Sequence, residues 1–431
     1  MTAPERFEQD LPQLLAQLAA GPRPDYRDSL VEAVARTPQR PAWAFPRRWL
    51  PVDITTAPVR TAPMPMRAVI LAALLLLAVA ATLLLVAGSR PRLPEPFGPA
   101  RNGLIVYGNG GDIYAVNPDG TDVRPLVSDP ATYDSDPLFS TLGDRMVFAR
   151  EVDGAWELWI TGADGANPRR LTERLIGLGA YAWSPDGAWI AAHHRPTGYD
   201  RVTLFAADGS SSRDLDLPVA AGEPLWRPGH AGQLLVRSQG VETPDLYLVD
   251  VATDTAKKLD LPHDPGAPIP TYDGQRPDWS PDGTRLVSEY GMQRYSDAGR
   301  PVIRLRVADV GADGTITAIR ELEREAGADY EFGAVFLSTG DGIAFGLQTG
   351  CRFGVFVASG EDLAGAVPVG EPIDDCSNAG VGIQVAPDGT RALSRRTGDG
   401  ADVMTLGGID GTGRVVIGTT TDGTTWQRLA P

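Results

Sequence analysis

Cysteine is nearly absent, with Cys351 and Cys376 the only two in 431 residues. Histidine is almost as scarce: there are four, none before His193, so the first part of the chain lacks both side chains that usually build a zinc site. Lysine is confined to Lys257 and Lys258 among 39 basic residues, which points to a GC-rich bacterial genome rather than to a function. No Gly-x-Ser-x-Gly elbow, Walker loop, His-Glu-x-x-His pair or EF-hand spacing of acids occurs. His193 and His194 are adjacent, and neighbours in a strand point to opposite faces, so they do not form a ligand pair. Together these absences predict a chain that is not an enzyme and uses no cofactor and no metal.

Positive charge is also short. The net charge is −16, and residues 1–67 hold nine Arg against seven acids, which leaves −18 for everything after Arg67. A surface of that sign repels phosphate backbones, so nucleic acid is excluded as a partner.

What is present begins with an uninterrupted apolar run. Residues 68–88, AVILAALLLLAVAATLLLVAG, are 21 positions without a charge. At about 1.5 Å per residue a helix of this length crosses the roughly 30 Å of bilayer hydrocarbon. Some 66 residues precede it, too many for a cleaved signal peptide, so it reads as a permanent anchor and the protein as integral to the bacterial cell membrane. Arg47, Arg48, Arg60 and Arg67 before the run outnumber Arg90, Arg92 and Arg101 after it. This bias and the acidic remainder place the N-terminus in the cytoplasm and the C-terminal part outside.

Residues 1–51 read as a small helical arm. Phe7, Leu11, Leu14, Leu15 and Leu18 share one helical face, and a second short helix is expected over 25–36. Such short amphipathic helices need a neighbour, the membrane or a cytosolic protein partner to be stable. Residues 52–67 form a linker and 89–100 a Pro-rich spacer. Arm, single span and outer domain together are similar in layout to membrane-bound anti-sigma regulators, without the His/Cys cluster of the zinc-binding members.

From residue 101 to 431 the chain repeats. Two copies are clear, YAWSPDGAWIAAHH (181–194) and PDWSPDGTRLVSEY (277–290). Degenerate ones are 137–150, 224–238, 334–348 and 383–396, at a period of about 43 to 57 residues. Each is followed by a second alternating run such as DIYAVNPDG (112–120) or DLYLVDVATD (245–254). Pro-Asp-Gly suits a tight hairpin, and alternation buries one face of each strand. A four-stranded unit cannot cover both of its faces alone, but copies arranged around an axis can, so a mainly β, six- or seven-bladed β-propeller is expected. One unit, starting at LIVYGN (104–109), lacks its first strand.

Trp183 to Gly187 and Trp279 to Gly283 (WSPDG), Asp112-Ile113-Tyr114, Asp245-Leu246-Tyr247 and Arg170-Leu171-Thr172 resemble the TolB-like, WD-repeat-like propeller family. The resemblance implies that a strand within 424–431 pairs with the incomplete unit. Propellers that accompany serine peptidases need a separate hydrolase domain, for which the sequence after the repeats is too short.

Connections between the second and third strands, and between units, fall at one end of such a ring. They gather Tyr133 and Asp134, then His193, His194, Arg195, Tyr199 and Asp200, then His263, Asp264, Tyr272 and Asp273. Glu289, Tyr290, Arg294, Tyr295, Asp374 and Asp375 complete the set. This face is the expected site for a protein, peptide or glycan. Cys351 and Cys376 fall at the same end and suit a disulfide in an oxidising exterior. The expected function is a membrane-anchored binding propeller, in its sharpest form a signalling regulator of anti-sigma type. The alternatives are a propeller glycan hydrolase or lyase and a structural envelope component.

Overall fold

A computed structural model describes residues 97–196, 198–238, 245–262, 277–295, 301–322, 330–369, 373–374, 381–396 and 402–430, with the single positions 74 and 95. The chain separates into two compact units, Met1–Arg90 and Pro91–Pro431. The expected arm, linker and membrane helix lie outside the described residues apart from Leu74, which is helical. Among the described residues no helix is long and apolar enough to cross a membrane.

The second unit is a seven-bladed β-propeller, which decides between the six and seven blades left open by the repeat. Blade 2 is typical: Tyr133–Phe139 is innermost, followed outward by Arg145–Val152, Ala155–Gly162 and Arg169–Arg170, each antiparallel to the last. Blade 3 runs Tyr181–Trp183, Trp189–His194, Arg201–Ala206 and Ser212–Asp214, and blade 4 runs Ala221–Trp226, Gln233–Ser238, Leu246–Asp250 and Thr255–Lys258. Blade 5 comprises Asp278–Trp279, Arg285–Tyr295, Pro301–Val310 and Ile316–Leu322. Blade 6 comprises Tyr330–Phe336, Gly342–Thr349 and Arg352–Ser359, with Val367–Pro368 and Ile373–Asp374 sharing its outer edge. Blade 7 runs Val381–Val385, Arg391–Arg396, Asp402–Gly408 and Val415–Thr420. Blades 5 and 6 are fused by a parallel rung, Ile303↔Tyr330.

Blade 1 holds Arg101–Asn109, Asp112–Val116 and Arg124–Val127, and its innermost strand is Thr424–Leu429, in the register Ile105↔Trp426 and Arg101↔Leu429. The unit that lacked a first strand therefore receives it from the far end of the repeat, as expected.

Strand periodicity explains the core. Ile105 packs toward blade 7 with Leu393, Met404 and Leu406, whereas its neighbour Val106 packs toward blade 2 with Met146 and Phe148. Val147 and Ala149, one residue out of phase with those two, turn to blade 3 with Trp183 and Ile190. Successive side chains feed successive layers, so the described core is a circle of inter-blade clusters rather than one central mass.

The hairpins repeat as closely as the strands. In blade 3, Ser184 Oγ donates to Asp186 Oδ1 (2.6 Å), which also accepts the Ala188 N–H (3.0 Å), and Gly187 turns with φ +67°. Blade 5 copies this with Ser280, Asp282 and Gly283. A Cβ at Gly283 would sit 2.2 Å from the Pro228 carbonyl oxygen, so glycine is required there for both conformation and clearance.

An arginine then clasps each of several hairpins from the preceding blade. Arg145 donates to Gly187 O (2.7 Å) and lies 5.1 Å over Trp183; Arg285 donates to Gly340 O (2.6 Å) and lies 5.1 Å over Phe336. In blade 4 the equivalent position holds Gln233, and Arg227, standing where the hairpin serine would be, supplies the guanidinium instead. Arg227 reaches Gly283 O, Gly311 O and Val310 O at 2.7–2.9 Å and stacks 4.9 Å from Trp279. The buried Gly283 and Val310 carbonyls in the seam are thereby satisfied, and Gly311 O gains a second donor beside the Gly314 N–H.

Candidate functional site

Antiparallel alternation divides the ring into a turn end, carrying the Pro-Asp-Gly hairpins, and a loop end, carrying the connections between blades. The chain enters at the turn end: Arg428 donates to Glu95 O (3.1 Å) and Gly98 O (2.6 Å), and Ala100 N–H to Pro387 O (2.8 Å) in the blade 7 hairpin. The described members of the expected face lie at the loop end, but as separate clusters rather than one site.

The best defined cluster is in blade 3. Asp200, nearly buried, is a hub: His193 Nε2 lies 2.7 Å from Oδ1, and Arg195 Nη2 reaches both carboxylate oxygens at 2.9 and 3.0 Å. Burial disfavours the Asp200 anion, but the His193 and Arg195 hydrogen bonds outweigh it and hold the carboxyl below its usual range.

His194 is on the opposite side of the strand, as alternation requires, and is only 7% exposed. Its Nε2 lies 2.7 Å from Thr203 Oγ1, which in turn lies 2.6 Å from Asp214 Oδ1. Burial works against the Asp214 anion, but hydrogen bonds from Thr203 and Arg201 hold its pKa low, so the carboxylate is ionised and takes the Thr203 proton. Thr203 therefore accepts from His194, which fixes the Nε2–H tautomer. Burial lowers the His194 pKa and keeps it neutral, with its Nδ1 buried without a partner. Because the hydroxyl proton points to the carboxylate and not to the imidazole, Thr203 is not activated as a nucleophile. Arg201 closes the network on Asp214. Tyr199, 75% exposed, stands beside it. A cavity of about 430 Å³ opens here, lined by 199–202 and 214–221.

A second cluster fills the seam between blades 5 and 6. Glu289 Oε1 accepts the Gly333 N–H (2.7 Å) and Asp278 Oδ2 accepts the Phe336 N–H (2.8 Å), so two blade 5 carboxyls hold the innermost strand of blade 6. Burial pushes Glu289 up to about 8 and Asp278 up to about 7, against the main-chain hydrogen bonds that favour their anions. Tyr290 packs 5.5 Å beneath the Arg306 guanidinium, and burial, then Glu321, raises its pKa. Arg304 and Glu331, beside the parallel rung, are fully enclosed.

In blade 2, Asp134 is buried and forms a two-point pair with Arg150 (2.6 and 2.8 Å), while Tyr133 stays partly exposed. Of the remaining expected residues, Arg294 and Tyr295 end the blade 5 strand Arg285–Tyr295, and Asp374 pairs with Arg352. His263, Asp264, Tyr272, Asp273, Asp375 and Cys376 lie outside the described residues. Cys351 is disulfide-bonded, and Cys376 is the only other cysteine in the sequence. Thr203, Asp214, Glu331 and Arg304 were missed by sequence reasoning. For Arg304 and Glu331 the available signal was a charge in phase with apolar strand positions; Thr203 and Asp214 carried none. Among the described residues no group of three or more His, Cys, Asp or Glu could hold a metal ion.

No family model matches the chain. It is 28% identical over 173 residues to a Bacillus subtilis protein described as the uncharacterized peptidase YuxL, a match covering 39% of this chain and 23% of that relative. The chain thus spans about a quarter of the curated relative. Among solved structures, TolB from Acinetobacter baumannii is 16% identical at a TM-score of 0.44, over 77% of this chain and 81% of its own. A prolyl endopeptidase is 14% identical at 0.51, over 74% and 50%, and an oligogalacturonate lyase in complex with manganese is 13% identical at 0.50, over 74% and 85%. The likenesses to the prolyl endopeptidase and the lyase support the β-propeller as the fold. The expectation that the chain is not an enzyme is overturned: proteins with peptidase and lyase activity carry this propeller, so missing catalytic motifs are no argument against catalysis.

Proposed function

We propose that the chain is a membrane-tethered recognition propeller, anchored by residues 68–88 and presenting its loop end to a ligand outside the cell. The observation that carries this reading is the polarity of the ring. The chain arrives at the turn end a few residues after the uncharged run, and the non-repeating charged clusters gather at the opposite end. In repeat folds the irregular loops carry binding groups. The inner arm, in this reading, passes the event to a cytosolic partner in the manner of an anti-sigma regulator.

Cell fractionation tests the tether: the full-length chain is expected in membranes, released by detergent and not by alkaline carbonate, with a tag after Pro431 cleaved by protease added to intact cells. Recovery in the soluble fraction, or a protected tag, overturns it. Cross-linking in cells tests the arm, with loss of a cytosolic adduct expected on Leu11→Asp and Leu15→Asp.

The match to a described peptidase supports a second reading, a propeller that serves catalysis on a peptide. Cleavage of a peptide library by the purified full-length chain, absent from a mock preparation, would establish it.

A further inference from the structure

We propose that the cavity at the loop end of blade 3 binds a neutral saccharide. This inference rests on the recognition reading and gives it a ligand class. The cavity, about 430 Å³, falls within the ordinary size of small-molecule sites.

Its walls differ in kind. Leu217, Pro218 and Val219 supply apolar surface, while Arg201 and Asp214, also in the lining, form an ion pair. Tyr199 belongs to the lining and is 75% exposed, which leaves aromatic surface free to cover the C–H face of a sugar.

The polar groups are held before any ligand arrives. Asp214 is fixed by Thr203 and Arg201, and Asp200 by His193 and Arg195. The two Asp214 oxygens each accept one hydrogen bond here and retain a further lone pair, and Arg201 retains further N–H donors, so a fixed set of acceptors and donors lines the cavity. Vicinal hydroxyls, which both donate and accept, match that set. A uronate does not, because Asp200, Asp214 and Asp216 face it within an outer domain of strongly negative charge.

The test uses the full-length chain in a detergent without a sugar headgroup, probed by saturation-transfer NMR and calorimetry. The ligands are maltoheptaose, cellohexaose, chitohexaose and oligogalacturonate. At least one neutral oligosaccharide is expected to bind. Tyr199→Ala should weaken it about tenfold or more while Tyr199→Phe retains it, and oligogalacturonate should bind at least about tenfold more weakly. Tyr199 is exposed, so its variants should melt at the wild-type temperature. The inference is overturned if no neutral sugar binds, if Tyr199→Ala leaves binding unchanged, or if oligogalacturonate binds as tightly. Such a failure in a chain whose C-terminal tag is still cleaved outside cells sinks the cavity alone. A protected tag sinks the tether alone.

Discussion

The turn end and the loop end of the ring obey different rules. At the turn end the same devices recur from blade to blade: an aspartate accepting the hairpin N–H, a glycine with positive φ, and an arginine from the preceding blade on the glycine carbonyl. Even where blade 4 has lost the usual arginine, Arg227 restores the contact from a different position. At the loop end each blade is particular: an Asp134–Arg150 pair in blade 2, the Asp200 hub in blade 3, enclosed carboxyls between blades 5 and 6. A ring closes only if every seam fits: the turn end meets this with one repeated device, while the other end varies from blade to blade and fits a seam with its own groups where Glu289 and Asp278 hold blade 6.

The largest effect expected from breaking this contrast is at Arg227. It is 1% exposed, and Arg227→Ala would remove the guanidinium from the carbonyls of Gly283 and Val310 and uncover Trp279, while Gly311 O would keep its bond from the Gly314 N–H. A loss of about 3–5 kcal/mol is expected in urea unfolding. A loss below about 1 kcal/mol would show that the clasp is incidental.

Next comes the seam of blades 5 and 6. Asp278 and Glu289 hold their protons more tightly in the folded chain, at about 7 and about 8, than at their ordinary 3.8 and 4.5. Their contribution is therefore whole below about pH 4 and is lost as pH rises through those two values, on the order of a few kcal/mol for the pair. The melting temperature should fall between pH 5 and 9, and the Asp278→Asn, Glu289→Gln double variant should flatten that fall. An equal slope in the variant would remove these groups as its cause.

The disulfide ranks third. Cys351 immediately precedes the strand that pairs Arg352 with Asp374, so its disulfide is anchored at the loop end of blade 6. Cys351→Ser is expected to cost about 2–4 kcal/mol, and reduction of the wild type should match it in a thermal melt.

Legibility in the sequence followed the same division. The hairpins were readable because backbone geometry dictates their residues: Ser184-Pro185-Asp186-Gly187 can do little else. Alternating strands and the missing first strand of blade 1 were readable because burial has period two. The site was only partly readable. His193, Arg195 and Asp200 do meet, since a short connection between adjacent strands forces them together. Asp214 and Thr203, which complete the neighbouring network, belong to strands whose pairing brings distant positions side by side, and spacing alone does not encode that. Glu289 and Tyr290 read as one feature of a binding face, yet Glu289 reaches the seam with blade 6 while Tyr290 packs under Arg306 of its own blade, because neighbouring residues serve different layers.

The smallest expected effect separates a structural network from a functional one. Thr203→Val removes the hydroxyl between His194 and Asp214 but leaves Asp214 its Arg201 partner, so the unmet group is the His194 N–H. An unmet buried donor costs about 1–2 kcal/mol, whereas removing both partners is nearly neutral. Thr203→Val should therefore lower stability by about 1 kcal/mol, and adding His194→Leu should restore most of it. If the double variant is instead less stable than Thr203→Val alone, packing by the imidazole, rather than its hydrogen bond, is what blade 3 requires. If stability recovers while ligand binding at the cavity is lost, the network serves the loop end and the contrast between the two ends sharpens to a single side chain.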